Sequence, residues 1–253
     1  MTSDSPSPRR PQPDLTNSSR LAVFLDIDGT LADIVATPSQ AKVPHATRRN
    51  VEALARRLDG AVALISGRHL DDIDAMTGLG QIAAAGIHGA QLRTANGVSL
   101  PDRLGADLVS RVEGVLADRI GGLSGVFIER KPLSVAVHYR ACPDNEEVIV
   151  RAARDIVAGH TALKYITGKR VVEILPAVAS KGAAIAHFME LEPFKGRIPL
   201  FAGDDVTDED GFMLVNAMDG ISIKIGEGPS RAAFGFETAA AFRRWLDTLA
   251  SAK

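Results

Sequence analysis

Apolar positions along this chain gather into short runs separated by stretches of helical period, and their order predicts the architecture. Leu21–Asp28 is an apolar run that ends in acids. A helical stretch near His45–Leu58 follows, then a strand over Ala61–Ser66, a helix near Leu70–Met76 and a strand near Gln81–Ala85. Strands alternating with helices imply crossover connections and a parallel sheet. Around Gln91 the rhythm changes. Asn96–Gly97 reads as a hairpin turn, Asp102–Ile120 as a helix, and Val126–Arg130 and Ser134–Arg140 as strands. A helix near Asn145–Ala158 and strands near Ala162–Thr167 and Arg170–Leu175, parted at Gly168–Lys169, complete an αββαββ order. That order predicts an inserted α+β cap with an antiparallel sheet. After Pro176 the alternation returns through Lys181, Ile198–Gly203 and Ile221–Ile225, and closes with an amphipathic helix around Thr238–Leu249. The expected organisation is a tail over 1–20, a discontinuous α/β core over 21–91 and 177–253, and a cap over 92–176.

Candidate chemistry collects at strand ends. Alternation with period two puts Asp26 and Asp28 on one side of an extended chain, and Gly29 lets the backbone turn after them. Carboxylates at the end of a buried strand are costly unless cations or a metal pair with them, and that end is where open α/β sheets bind ligands. An EF-hand loop needs glycine at its sixth position. Leu31 stands there, after a strand, so that reading fails. Three later segments join the pair. AVALISGR ends in Ser66, Gly67 and Arg68; Lys181 opens the periodic stretch SKGAAIAHFMEL; IPLFAGDDVTDE ends in Asp204, Asp205, Asp208 and Glu209. Singly, these also fit a solvated turn, a solvated helix start and a helix-capping acid run. Their ordered combination resembles the four motifs of the haloacid-dehalogenase-like phosphatases.

Composition narrows the field. A chain of 253 residues with 45% hydrophobic content can bury a substantial core. A net charge of −2 without a basic block leaves no electrostatic footprint for nucleic acid or for a membrane surface. There is no apolar run of about 18 residues to suggest a transmembrane helix. The single cysteine, Cys142, excludes an intrachain disulfide framework and fits a reducing, cytoplasmic setting. Residues 1–20, rich in Pro, Ser and Arg and lacking an apolar h-region, read as a disordered tail and not as a signal peptide.

The resemblance assigns roles within a Rossmann-like core. Asp26 would be the nucleophile, splitting a hard displacement into two through an aspartyl-phosphate. Asp28 would protonate the leaving oxygen and later deprotonate water. Ser66, with the backbone at Gly67 and with Arg68, would hold phosphoryl oxygens, and Lys181 would offset transition-state charge. Mg²⁺ is the implied cofactor, with Asp26, Asp28 (through a nearby backbone carbonyl), Asp204 and Asp205 as its ligands. Asp205 and Asp208 would also orient metal-bound water or hold Lys181.

The predicted cap has its own polar signals: Glu129 and Lys131 two apart in VFIERKP, His138, Tyr139 and Arg140 ending SVAVHYR, and Glu173 interrupting VVEIL. Each alone also fits a solvated strand face. With DIDGTL, ISGR, GIHG (Gly86–Gly89), SKG and GDDVTDE they resemble the trehalose-6-phosphate phosphatases from Leu21 to about Leu249. That resemblance implies that Glu129, Lys131 and Glu173 hold sugar hydroxyls, with Gly67, Arg68, His88 and Arg140 among the substrate contacts. The chain departs from the family pattern in its Pro/Ser-rich extension and in Pro132 directly after Lys131. Alternatives left open are phosphatases for glucosylglycerol phosphate, sucrose phosphate or mannosylglycerate phosphate, a phosphomutase, and a non-catalytic binder of trehalose 6-phosphate that regulates a partner. The expected partner is a small sugar phosphate, met by a monomer with a functional link to a trehalose-6-phosphate synthase.

Overall fold

The structure is a computed structural model that describes residues 10–13, 18–35, 40–95, 97–99, 106–131, 133–168 and 170–252. Asn96, Pro132, Lys169, the first residues of the predicted Asp102–Ile120 helix and most of the predicted tail lie outside the described residues. The chain divides into two compact units, Met1–Val98 with Lys181–Lys253, and Ser99–Ser180.

The first unit is built on strands β1 (Leu21–Leu25), β2 (Val62–Ile65), β3 (Ala83–Gly86), β4 (Gln91–Thr94) and β5 (Gly97–Ser99), joined after the insertion by β10 (Ile198–Gly203), β11 (Ile221–Ile225) and β12 (Phe234–Phe236). Their order in the sheet is β12-β11-β10-β1-β2-β3-β4-β5. From β12 to β3 all pairings are parallel, and β4 then runs antiparallel to β3. The strand β1 lies at the centre and is buried along its whole length. Parallel strands covered on both faces read as continuous apolar runs, which is why LAVFL and VALI carry no polar residue. Helices α1 (His45–Arg57), α2 (Leu70–Thr77), α5 (Lys181–Met189), α6 (Glu209–Ala217) and α7 (Ala239–Ser251) supply the covering layers. Phe24 of β1 packs with Phe188 and Phe194, Phe201 of β10 with Phe212 of α6, and Phe236 of β12 with Phe242 and Trp245 of α7.

The second unit has helices α3 (Ala106–Ile120) and α4 (Glu146–Ala158) and strands β6 (Phe127–Arg130), β7 (Val135–His138), β8 (Leu163–Gly168) and β9 (Val171–Pro176). The strands form an antiparallel sheet in the order β6-β7-β9-β8. The predicted αββαββ order is therefore present. Val135, Val137, Val172, Ile174 and Leu163 on one face join Val112, Leu116, Ile149 and Ala153 of the helices in a separate apolar core.

Three readings change. The division falls at Ser99–Ser180, not at 92–176, because β4 and β5 extend the first unit's sheet. The change of rhythm at Gln91 marks a reversal of direction at the sheet edge. The predicted tail is also partly structured. Arg10 donates from Nε to the Ala232 carbonyl and from Nη2 to those of Gly228 and Ser230, while Gly235 N–H donates to the Pro11 carbonyl. A proline-containing segment thus covers an edge strand that would otherwise present unpaired backbone groups, and Ser18–Arg20 form a single helical turn into β1. Third, β1 stops at Leu25 and the chain turns through Ile27–Ala32, so the period-two argument does not reach Asp28. No helix among the described residues is long and apolar enough to cross a membrane.

Arg10→Ala removes three partly buried hydrogen bonds made by a charged group. It is expected to lower stability by about 1–3 kcal/mol, read as a fall in the urea midpoint at constant slope. An unchanged midpoint would show that the segment adds nothing to the sheet.

Candidate active site

Three strand ends and one helix start converge in the first unit. Asp26 follows β1, and its backbone N–H donates to the Ala202 carbonyl of β10 at 2.9 Å. Ser66 follows β2, and Asp204 and its neighbours follow β10. Lys181 is the first residue of α5. Its ammonium donates to Asp26 Oδ1 at 2.7 Å and to Asp208 Oδ1 at 2.6 Å, and all three side chains are buried. Asp208 Oδ2 is also occupied, accepting from the Asp205 backbone N–H at 2.8 Å. Burial raises the Asp26 carboxyl well above the usual carboxylate range; Lys181 pulls it down, while Asp208 and Asp204 add to the rise. For Lys181, burial opposes the charged form, but Asp208 and Asp26 outweigh it and raise the ammonium above an ordinary lysine. Of the two acids read as able to hold Lys181, Asp208 does so.

Asp28 sits in a different environment. Arg68 grips it with a bidentate fork, Nε to Oδ2 and Nη2 to Oδ1, both at 2.7 Å. This planar match of guanidinium to carboxylate is the strong form of an ion pair. Ser66 Oγ accepts from the Arg68 backbone N–H at 3.1 Å, tying the start of the SGR turn. GIHG meets the same turn. Ile87 N–H donates to the Arg68 carbonyl and His88 N–H to the Ser66 carbonyl, each at 2.9 Å. A side chain on Gly67 would run into the His88 ring. Ile87 and His88 both have positive φ, 48° and 53°. That region costs a non-glycine residue roughly 1–3 kcal/mol, so two in succession here are held by their surroundings. The structure thus brings Ser66, Gly67, Arg68, His88 and Asp28 into one cluster.

Asp26, Asp204 and Asp208 each offer a carboxylate oxygen, and these atoms lie within 4.8 Å of one another. Asp26 Oδ2 is buried and has no hydrogen-bond partner among the described residues. Three carboxylates near one lysine leave an excess of negative charge in a place where charge is expensive. A hard divalent cation with oxygen ligands fits that deficit. Gly29, at φ 80°, packs against the Asp204 carboxyl group, and a side chain there would occupy the same space. Lys224 of β11 donates to the Asp204 carbonyl. The carboxylate set differs from the sequence reading in one place: Asp205 caps the turn before α6, accepting from Val206 N–H at 2.8 Å. The Arg68 fork engages only the Asp28 side chain and leaves the reading of a backbone carbonyl near Asp28 untouched. Asp208 joins Asp26 and Asp204 in the acidic cluster because the capping box folds it back under Gly203.

In the second unit, Glu173 of β9 is buried, and its Oε1 accepts from Ser134 Oγ at 2.6 Å and Lys131 Nζ at 3.1 Å. Glu129 Oε2 lies 2.8 Å from His138 Nε2. Arg140 stands exposed beyond the end of β7. Sequence reasoning missed Ser134, whose signal was only a hydroxyl preceding an apolar strand, and Lys224, hidden within ISIKI.

Comparison with known proteins gives the family. Residues 24–235 match the family model described as trehalose-phosphatase. A trehalose-6-phosphate phosphatase of Escherichia coli (strain K12) is 39% identical over 239 residues, covering 93% of this chain and 88% of its own. A probable trehalose-phosphate phosphatase of Sinorhizobium fredii is 40% identical over 219 residues, covering 83% and 80%. The C-terminal domain of a Candida albicans trehalose-6-phosphate phosphatase superposes with a TM-score of 0.82 at 19% identity, over 98% of this chain and all of that one. That likeness shows the fold, the haloacid-dehalogenase-like α/β arrangement with an added α+β unit. With its acid cluster, its strand-end serine and its helix-start lysine, the chain belongs to the trehalose-phosphatase family of phosphoric monoester hydrolases.

Proposed function

We propose that this chain hydrolyses trehalose 6-phosphate to trehalose and phosphate through an aspartyl-phosphate on Asp26. The observation that carries the reading is the pair of unlike oxygens on that residue. Lys181 fixes Oδ1, while Oδ2 is buried with no hydrogen-bond partner among the described residues and keeps its lone pairs for an incoming electrophile. Oδ2 attacks phosphorus as the bond to the sugar oxygen breaks, and that oxygen takes its proton from Asp28. Water then attacks the aspartyl-phosphate, yields its proton to Asp28, and regenerates the Asp26 carboxylate. Both Asp28 oxygens accept from Arg68. Proton donation therefore requires that fork to open, and a phosphoryl group is a competing partner for the same guanidinium. Ser66 adds a hydroxyl at the strand end.

Asp26, Asp204 and Asp208 would hold Mg²⁺, which when bound would offset charge between nucleophile and phosphate. In the second unit, Glu129, Lys131 and Glu173 are proposed to hold sugar hydroxyls, with Ser134 and Lys131 keeping the Glu173 carboxylate in place. A family relationship by itself permits other sugar phosphates. A phosphate-release panel over trehalose 6-phosphate, sucrose 6-phosphate, glucosylglycerol phosphate and glucose 6-phosphate tests this reading, and preference for any of the last three would overturn it.

Three further outcomes follow from the geometry. Asp26→Asn should cut turnover by roughly three orders of magnitude or more while the protein stays folded, since the Lys181–Asp208 pair survives. Near-normal turnover would sink the covalent route. Calorimetric titration should show Mg²⁺ binding that Asp204→Ala weakens by at least about tenfold, and chelator should abolish activity; unchanged binding would remove Asp204 from the ligand set. Glu173→Ala leaves Ser134 and Lys131 without their shared acceptor. It should cost about 1–3 kcal/mol of transition-state binding, or roughly one to two decades in kcat/KM for trehalose 6-phosphate. Hydrolysis of a simple aryl phosphate should barely change, and an equal loss on both would mark Glu173 as structural.

A further inference from the structure

The second unit carries a ring that its own core does not use. Among the chain's nine phenylalanines, two tyrosines and one tryptophan, Phe127 alone is exposed, at 63%. The register places Phe127 opposite His138, Glu129 opposite Ala136, and Ala136 opposite Glu173. Side chains alternate across a sheet, so Phe127, Glu129, His138 and Glu173 share one face. The opposite face, with Ile128, Val135, Val137, Val172 and Ile174, packs into the helices. Phe127 stacks on the His138 ring, centroids 5.7 Å apart and planes inclined by 29°, and His138 pairs in turn with Glu129. Ring, imidazole and carboxylate thus brace one another on the side of the sheet that faces away from helices α3 and α4.

Leaving an aromatic ring in water forgoes a burial free energy of the order released by any core phenylalanine. A lone ring beside carboxylates makes no broad apolar patch of the kind that docks a protein. It does match the two kinds of surface on a hexose. Hydroxyls around the rim suit Glu129 and Glu173, while the C–H groups of a pyranose face suit the flat, electron-rich face of an aromatic ring. Ligand sites commonly combine an apolar or aromatic wall with a few placed polar groups. We propose that Phe127 is a specificity-determining residue that stacks against a pyranose ring of the substrate, with His138 fixing the ring's plane. This rests on the sugar-phosphatase reading above.

The test measures Phe127→Ala, Phe127→Leu and Phe127→Tyr beside the unaltered protein, on whichever disaccharide phosphate the latter hydrolyses best and on glycerol 2-phosphate, which has no ring. The expected result is a KM for the sugar substrate raised roughly three- to tenfold in the Ala and Leu variants. The Tyr variant should be near the original, with glycerol 2-phosphate turnover unchanged throughout. A Phe127→Trp variant should change its fluorescence on addition of trehalose. An unaltered KM in the Ala variant, full activity in the Leu variant, or equal losses on both substrates would overturn the stacking role while leaving the sugar-phosphatase reading intact. If the unaltered protein hydrolyses glycerol 2-phosphate but no disaccharide phosphate, the sugar-phosphatase reading fails and the stacking role falls with it.

Discussion

Lys181 reaches Asp26 and Asp208 across 155 and 27 positions of sequence, and it does so out of contact with water. Buried charges of this kind are held only when they are paired and hydrogen-bonded, and removing one partner of such a pair typically costs about 3–5 kcal/mol. The pair therefore fixes more than a side chain. It joins the two segments of the first unit, one before the insertion and one after it, at the carboxyl ends of the central strands. It also makes the two oxygens of Asp26 unlike: one accepts from the ammonium, and the other has no hydrogen-bond partner among the described residues.

The backbone around this pair is shaped to let carboxylates approach closely. Gly29 accepts the Asp204 carboxyl group against its α-carbon, and Gly203 does the same for Asp208. Ile87 and His88 remain in a conformation unfavourable for residues with side chains, because their N–H groups close onto the SGR turn. Strain of this kind persists where surrounding contacts over-determine it. Here those contacts are the hydrogen bonds that set Ser66 and Arg68 in place. The outcome is a site whose acids differ by environment: Asp26 dry and half-partnered, Asp28 more open and doubly gripped by arginine.

The second unit solves a different problem. Its sheet has one face committed to helices α3 and α4 and the other bearing Glu129, Glu173 and His138 in register. Under the proposed function, discrimination among sugar esters falls to groups on that face. Glu173 is the most constrained of these side chains, with two donors on one oxygen and little exposure.

The amino-acid sequence by itself determined the element types, the αββαββ insertion and the strand-end acids. These follow from apolar periodicity and from motifs whose residues are neighbours in the chain. Ile198–Gly203 and Ile221–Ile225 match the observed strands to the residue: the first is an apolar run that ends sharply at acids, and the second alternates isoleucine with Ser222 and Lys224. Short elements escaped: β12 has three residues, too few for a period, and β4 and β5 looked like the start of the insertion because an antiparallel edge breaks the βαβ rhythm. Pairing was what only the tertiary structure decided. Nothing local says that Arg68 would take Asp28, that Asp205 would turn to cap a helix while Asp208 turned inward, or that Arg10 would bind the loop before β12. Each of those choices is a contest between electrostatic partners brought together by folding, and its outcome depends on distance and burial, which spacing along the chain does not contain.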